Sequence, residues 1–237
     1  AALDAAGPGP LAEGSVGGGT GMNCYGFKGG SGTSSRKVSY GTAEYTVGAL
    51  VQANFGARSE LTIAGVAMGH LLSEDNPLED VDWLARDRAR GSGFASTSSA
   101  PHVPGAGSVI VIVATDAPLL PGQCKALARR VPLGLARTGT AGGHFSGDIF
   151  LAFSTANSGA LRSGIAGIDP ADDEYDTLRF VPWGRMDGFF TAVVEVVEEA
   201  VLNALVVNSE MVGRDGHRTP ALPLDRIRQA LQRTDAS

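Results

Sequence analysis

Apolar and polar positions change character several times along the chain. The run Tyr45–Phe55 (YTVGALVQANF) is rich in β-forming residues with small residues between them, and Leu61–Val66 (LTIAGV) has the same character. The two segments predict strands that pair as a hairpin across the turn at Gly56–Glu60. The Gly-rich stretch over residues 1–36 carries no clear period and is interpreted as irregular.

The second half of the chain alternates between strand-like and helix-like segments. The apolar runs Ser108–Ala114 and Gly147–Thr155 predict strands that are buried on both faces. Helices are predicted over Pro118–Arg130, over residues 187–211 with Asp187 as N-cap, and over Pro223–Leu231. This order predicts one α/β domain over residues 1–237 with helices outside the sheets. Regular βαβ alternation is missing, and GGGTG at Gly17–Gly21 lacks the spacing of a dinucleotide-binding loop.

The composition excludes some classes of function and agrees with the predicted fold. The 237 residues are 43% hydrophobic with a formal net charge of -6, which is enough apolar material for a core. The mild acidity and the lack of a basic stripe argue against a nucleic-acid partner, and no membrane span is visible. The chain is not disulfide-dependent, which fits the cytoplasmic location that we expect. The chain begins AALDAAGPGP, so we interpret it as lacking an N-terminal part, which would carry any periplasmic signal.

The two cysteines, Cys24 and Cys124, do not indicate a metal or redox site. Neither lies in a CxxC or Cys/His spacing, so we expect small apolar fillers or partly exposed thiols. No cofactor is predicted.

The junction between Gly107 and Ser108 is the strongest candidate for chemistry. Residues 88–107 form a small-residue, polar tract that predicts an exposed linker, where cleavage concentrates. A Ser that follows a Gly can attack the preceding carbonyl, and hydrolysis of the ester leaves a free α-amine. That amine titrates at roughly 7.7–8.0, so Ser108 would supply both nucleophile and general base. From spacing alone, Ser108 as a simple strand start remains an open alternative.

Three other polar residues are candidate partners of Ser108. Ser146 and Asp148 lie two residues apart at a predicted strand start, where a hydroxyl and a carboxylate would hold and orient the amine. A turn with a capping Asp explains them equally well. Asn76 offers the side-chain amide that an oxyanion hole needs, although an Asx turn before Pro77 is the alternative. We assign no role to His144, because consecutive residues rarely form a catalytic triad.

Six segments carry distinctive sequence motifs. They are EGSVGGGTGM at Glu13–Met22, YGFKGGSGTSSR at Tyr25–Arg36, the run Ser108–Arg130, LGLARTG at Leu133–Gly139, SGDIFLAFSTAN at Ser146–Asn157 and MVGRDG at Met211–Gly216. Together they extend over most of the chain, and they resemble the β-aminopeptidase and L-aminopeptidase/D-esterase family of self-processing peptidases.

The resemblance implies a fold and a set of site residues. The fold is a four-layer αββα sandwich like that of the N-terminal nucleophile hydrolases, with different connectivity. The precursor would cleave between Gly107 and Ser108, so that residues 1–107 are the C-terminal part of an α chain and residues 108–237 a β chain. The family's helper Ser and acid correspond to Ser146 and Asp148, and its oxyanion Asn corresponds to Asn76.

The resemblance also implies an activity. Family members release N-terminal residues from small peptides, amides or esters without a metal or cofactor, and their α and β chains associate into oligomers of αβ units. This sequence differs from the family in two ways that affect how far the family's activity applies to it. Some members carry Glu where this chain has Asp148, and the upstream segment that contacts the substrate amine is absent from this sequence. An acyltransferase related to the ornithine acetyltransferases, whose nucleophile is Thr, and an inactive truncated member are the alternatives.

Overall fold

The computed structural model describes residues 4–5, 7, 9–77, 107–144, 146–160 and 172–235. Its strands are β1 (Asn23–Cys24), β2 (Phe27–Lys28), β3 (Gly30–Tyr40), β4 (Ala43–Asn54), β5 (Thr62–Ile63), β6 (Val66–Ala67), β7 (Ser108–Thr115), β8 (Ile149–Ser154), β9 (Met211–Val212) and β10 (Arg218–Thr219). Its helices are α1 (Met68–Leu71), α2 (Pro121–Ala128), α3 (Val131–Arg137), α4 (Asp187–Val206) and α5 (Leu224–Asp235). Of the predicted linker, only Gly107 lies among the described residues.

The central element is a four-stranded sheet with the strand order β3–β4–β7–β8. The β3–β4 and β4–β7 pairs are antiparallel, and β7 pairs with β8 in parallel. The predicted hairpin between Tyr45–Phe55 and Leu61–Val66 is therefore wrong, since β5 pairs with β6 instead. The partner of β4 is β3, which lies mostly in the stretch interpreted as irregular. A tight turn with Gly41 at φ 61° sets its register.

Helices α2, α3 and α4 lie on one face of this sheet, and small residues let them approach closely. Helix α4 packs across β3 and β4. At Gly32, a Cβ would collide with the carbonyl of Ala200 and the amide of Ala204, so only glycine fits there. At Gly134, a Cβ would stand 2.6 Å from the carbonyl of Val194, which brings α3 against α4. The core therefore lies between the sheet and these helices.

The opposite face of the sheet carries apolar side chains that no described residue covers. Val111 and Val113, which point toward the helices, are 0% exposed, whereas Ile110 and Leu151 on the other face are 42% and 53% exposed. The prediction that β7 and β8 are buried on both faces is wrong within the described ranges, because only one face has a helix layer. The α/β class is confirmed: within the described ranges, helices cover one face of the four-stranded sheet, and three two-stranded sheets lie outside it.

The helix predictions are confirmed with shifted ends. The helix predicted over residues 187–211 ends at Val206, and Asp187 lies in its first turn, while Met186 is the N-cap residue without a side-chain cap. Cys24 and Cys124 are both buried, and burial raises the pKa of each thiol. Among the helices of the described ranges, none combines the length and apolar character needed to cross a membrane.

Candidate active site

The Gly107–Ser108 junction lies at one end of the sheet, where β7 begins. Gly107 forms a parallel bridge with Ser146, in the same register as the β7–β8 ladder and three residues before its first pair, Ile110↔Ile149. A Cβ on Gly107 would collide with the carbonyl of Asn54 and stand 2.9 Å from Cα of Phe55. Glycine is therefore required there, because the end of β4 packs directly against the bond that precedes Ser108.

The hydroxyl of Ser108 is held by a backbone donor. Its Oγ accepts a hydrogen bond of 3.0 Å from the amide of Gly147. A Cβ on Gly147 would stand 3.1 Å from that oxygen, so a glycine at this position permits the close approach. An N–H that points at Oγ stabilises developing negative charge on it, as a nucleophile requires. Sequence reasoning did not identify Gly147, because a backbone donor has no signature in the side chain.

The predicted helper residues lie beside this junction. Asp148 Oδ1 accepts a hydrogen bond of 3.0 Å from the amide of Val109, the residue after Ser108. Ser146 lies next to Gly107 in the parallel bridge, and its own amide donates to the carbonyl of Gly143 over 3.1 Å. The structure thus brings Ser146 and Asp148 to Ser108, on exposed backbone at the start of β8.

Asn54 is a further polar residue at the junction that the sequence analysis did not single out. It pairs directly with Ser108 across the β4–β7 ladder, so the two side chains lie on the same face with Cβ atoms about 5 Å apart. Its Oδ1 accepts a hydrogen bond of 3.0 Å from the amide of Asn23. Only an oxygen can accept from that N–H, so this bond also fixes which end of the side-chain amide is Nδ2.

Asn76, the predicted oxyanion residue, lies beside Gly26 in the turn between β1 and β2. Its Oδ1 lies above Gly26, whose φ is 70° and where a Cβ would stand 2.5 Å from that oxygen. The neighbouring Arg58 donates to the carbonyls of Leu72 and Glu74 and so holds the segment that leads to Asn76. The predicted role of Asn76 as the oxyanion residue stays a prediction.

The described ranges contain no group of three or more His, Cys, Asp or Glu side chains arranged to hold a metal ion.

Comparison with known proteins identifies relatives along the whole chain. A model of peptidase family S58 matches residues 1–219. The β-peptidyl aminopeptidase BapA of Sphingosinicella microcystinivorans is 40% identical over 232 residues, which are 98% of this chain and 54% of the relative. The enzyme of the same name from Sphingosinicella xenopeptidilytica is also 40% identical, over 98% of this chain and 53% of the relative. This chain thus spans about half the length of the curated relatives it matches.

Solved structures agree with these relatives. An L-aminopeptidase D-Ala-esterase/amidase from Ochrobactrum anthropi, described as a new variant among the Ntn hydrolase fold, matches with a TM-score of 0.78 and 40% identity. The match covers 99% of this chain and 56% of that one. A β-aminopeptidase from Burkholderia sp. matches with a TM-score of 0.75 and 41% identity, over 98% of this chain and 57% of its own. The expected likeness to N-terminal nucleophile hydrolases is thereby confirmed.

Proposed function

Because the chain belongs to peptidase family S58, we propose that it is a self-processing aminopeptidase whose nucleophile is Ser108. The observation that carries the proposal is the geometry at the start of β7. There, Ser108 Oγ accepts a hydrogen bond from the amide of Gly147, and the preceding Gly107 is packed against the end of β4. Small peptides, amides or esters with a free N-terminal amine are the proposed substrates, in keeping with the names of the relatives.

Self-processing begins within the chain itself. Ser108 Oγ attacks the carbonyl carbon of Gly107, a C–O bond forms, and the Gly107–Ser108 C–N bond breaks as the nitrogen takes up a proton. Water then hydrolyses the ester, which leaves a carboxyl group on Gly107 and a free α-amine on Ser108. The tight packing of Gly107 against Asn54 and Phe55 supports this step, because it fixes the carbonyl relative to the hydroxyl.

The freed amine then serves as the general base during turnover. Ser108 Oγ attacks the substrate carbonyl while the α-amine of the same residue accepts the hydroxyl proton and later passes it to the leaving amine. Water hydrolyses the acyl-enzyme with the same amine as base. A terminal amine with an unperturbed pKa of roughly 7.7–8.0 is well matched to this exchange near neutral pH.

Asp148 and Ser146 are proposed to position that amine. The Val109 amide donates a hydrogen bond to Asp148, which holds the carboxylate at the residue that follows Ser108 and so near the Ser108 nitrogen. An anion at this distance favours the ammonium form of the amine and orients it. Ser146, which is bridged to Gly107, is the nearest candidate hydroxyl for a hydrogen bond to the new terminus.

For the oxyanion, the geometry supports Asn54 as a donor. Asn54 is the direct ladder partner of Ser108, and its Oδ1 is already bound to the Asn23 amide. Within the described ranges, its Nδ2 donates to no protein acceptor, and it is therefore available to the oxyanion on the face that carries Ser108. Asn76 remains the residue implied by the sequence resemblance.

The two chains are proposed to stay associated after cleavage. Strand β4, from the segment before the cut, pairs with β7 over eight residue pairs from Val47↔Thr115 to Asn54↔Ser108. Helix α4, from the segment after the cut, packs on β3 and β4 and buries a shared core with them. Breaking one peptide bond at the edge of this ladder removes none of these contacts.

The test of the proposal is mass spectrometry of the purified protein together with hydrolysis of an aminoacyl amide. The wild type should give fragments that correspond to residues 1–107 and 108–237 and should release the N-terminal residue. Ser108→Ala should stay uncut and lose turnover by more than about 1000-fold, because nucleophile and base disappear together. Intact wild-type chain that still hydrolyses the amide would overturn the mechanism. Predominant transfer to an added amine would support the acyltransferase instead.

Replacing Asn54 or Asn76 by Ala distinguishes the two oxyanion candidates. We expect Asn54→Ala to lower kcat by roughly 100-fold with KM little changed, because an oxyanion donor acts mainly in the transition state. We expect Asn76→Ala to alter kcat by less than about tenfold. A reversed order would assign the role to Asn76, as the sequence resemblance implies.

A further inference from the structure

Lys28 is a buried cation that the proposed mechanism does not use. Its side chain is 1% exposed, although a charged group is rarely buried without a partner. Among the described residues, no carboxylate lies within ion-pair distance of its ammonium. Burial lowers the pKa of Lys28. Burying this charge costs desolvation free energy, which an apolar side chain of similar length would avoid, so a lysine at this position suggests a specific role.

The three protons of the ammonium have three backbone acceptors. Nζ donates to the carbonyls of Gly19, Met22 and Gly29 at 3.1, 2.6 and 2.7 Å. A lysine ammonium carries three donors, so its hydrogen-bonding capacity is filled. The bonds to Gly19 and Met22 tie the turn over Gly17–Gly21 and the residue that follows it to the same ammonium group. The bond to Gly29 joins this turn to the residue before β3.

The residue after Met22 connects this cluster to the candidate active site. Asn23 pairs with Lys28 in the β1–β2 ladder, and its amide donates to Asn54 Oδ1 over 3.0 Å. Asn54 in turn is the ladder partner of Ser108. Lys28 therefore fixes Asn23 from two sides, through the ladder and through the Met22 carbonyl, and Asn23 fixes the rotation of the Asn54 side chain.

We propose that Lys28 is a positioning residue that, by gathering the carbonyls of Gly19, Met22 and Gly29, holds the Asn23 amide that aims Asn54 Nδ2 at the oxyanion formed on Ser108. The inference rests on the proposed function for its catalytic consequence. Its structural part, the control of the Asn54 side chain by Lys28, stands independently and is measurable without turnover.

The test compares Lys28→Met, Lys28→Arg and a matched control, Gln123→Leu. Methionine keeps the length and apolar stem of lysine but cannot donate, whereas arginine keeps the charge but has a planar fork that cannot converge on three carbonyls. Gln123 is equally buried, and its amide donates to the carbonyl of Val181 over 2.6 Å. It lies in α2, away from the junction, so Gln123→Leu also removes a buried polar contact but leaves Asn54 unaffected.

Two measurements are made on each folded variant below its melting temperature. The first is the NMR signal of the Asn54 side-chain amide, assigned by its loss in Asn54→Asp. The second is the separation of kcat and KM. We expect Lys28→Met to shift or broaden the Asn54 signal and to lower kcat by roughly 10- to 100-fold with KM within about twofold, since a small displacement of a catalytic donor has an effect of this size. Lys28→Arg should fall between Lys28→Met and the wild type, and Gln123→Leu should change neither measurement.

The outcomes separate this inference from the proposed function. A folded Lys28→Met or Lys28→Arg with an unmoved Asn54 signal and wild-type kcat would overturn the positioning role. If Lys28→Met does not fold, Lys28→Arg decides the question. If the wild type neither processes itself nor turns over substrate, the proposed function fails, and the NMR measurement still decides whether Lys28 controls Asn54.

Discussion

The two faces of the four-stranded sheet differ sharply although the same strands form both. On the helix-covered face, Val47, Val51 and Val111 are 0% exposed against α4 and its neighbours. On the open face, the side chains change from polar on β3 to apolar on β8, where Ile149 is 60% exposed. Neighbouring residues of one strand thus meet opposite environments.

The residues that stabilise the fold and the residues of the candidate site therefore lie on different faces of the sheet. The covered face holds the residues whose burial stabilises the fold, whereas Ser108 and Asn54 lie at one end of the open face, on the rigid scaffold that the core provides. A four-layer sandwich would put its second sheet on that open face, and the exposed Ile149 and Phe153 side chains fit such a role. The candidate site lies at the end of the sheet, where the last β4–β7 pair, Asn54↔Ser108, is held by the helix-covered core.

The largest difference in stability between the two faces is expected when valine replaces a glycine on each face. Gly32 lies on the covered face, where a Cβ would collide with backbone atoms of Ala200 and Ala204. Gly48 lies on the open face, where the nearest atom to a Cβ is the Ser34 carbonyl at 3.7 Å. We expect Gly32→Val to lower the free energy of unfolding by more than about 3 kcal/mol and Gly48→Val to change it by less than about 1 kcal/mol.

Urea unfolding followed by circular dichroism measures both values. Valine favours strand geometry equally in the two variants, so the difference between them reports the packing on each face. Equal and large destabilisation would show that the open face is packed in solution and would remove the basis of the comparison.

A smaller effect is expected from truncating two adjacent residues of β7. Val111 is fully buried under the helices, and Ile110 is 42% exposed on the other face. We expect Val111→Ala to cost about 2 kcal/mol of unfolding free energy and Ile110→Ala to cost less than about 1 kcal/mol, although the second change removes more atoms. Thermal and urea unfolding of the two variants would detect the difference. A greater loss for Ile110→Ala would indicate a covering layer.

The sequence predicts the covered face better than the open one. Alternation along β4 and the apolar run of β7 identify strands, and the helical period identifies α4, because burial leaves a clear pattern in each. The same run in β7 led to a prediction of burial on both faces, since apolar residues are also required where a second layer would pack. Strand β3 was missed because its sequence, GSGTSSRKVSY, meets α4 through Gly32, Ser34 and Arg36 rather than through large apolar side chains.

At the candidate site, sequence reasoning identified residues whose side chains carry an evident function. Ser108 stood out because a small-residue tract ends directly before a strand, and Ser146 and Asp148 because polar groups precede the next one. Asn54 was hidden within a strand pattern, and its importance depends on the β4–β7 register, which sequence periodicity does not set. The Gly147 amide and the carbonyls around Lys28 act through backbone atoms, which the sequence does not reveal.

The smallest expected effect concerns the charged rim of the covered face, where β3 meets α4. Glu199 accepts hydrogen bonds from Ser34 and Arg36. Burial raises the pKa of this carboxyl, but these two bonds more than offset burial and hold the pKa below its ordinary value. A depressed folded-state pKa gives stability that is present above the unfolded pKa and is lost as pH falls through the folded one. Because the Glu199 side chain is 43% exposed, solvent screening limits the contribution to less than about 1 kcal/mol.

We therefore expect the wild type to lose melting temperature relative to Glu199→Gln as the pH falls from about 5 to about 3, where the carboxylate is protonated. Ser34→Ala should reproduce part of this change, because it removes one donor and leaves the charge in place. Calorimetry at low and high salt measures both variants. Parallel pH curves for the wild type and Glu199→Gln would mean that α4 is held on β3 by packing alone, so that the covered face is stabilised by apolar burial up to its polar rim.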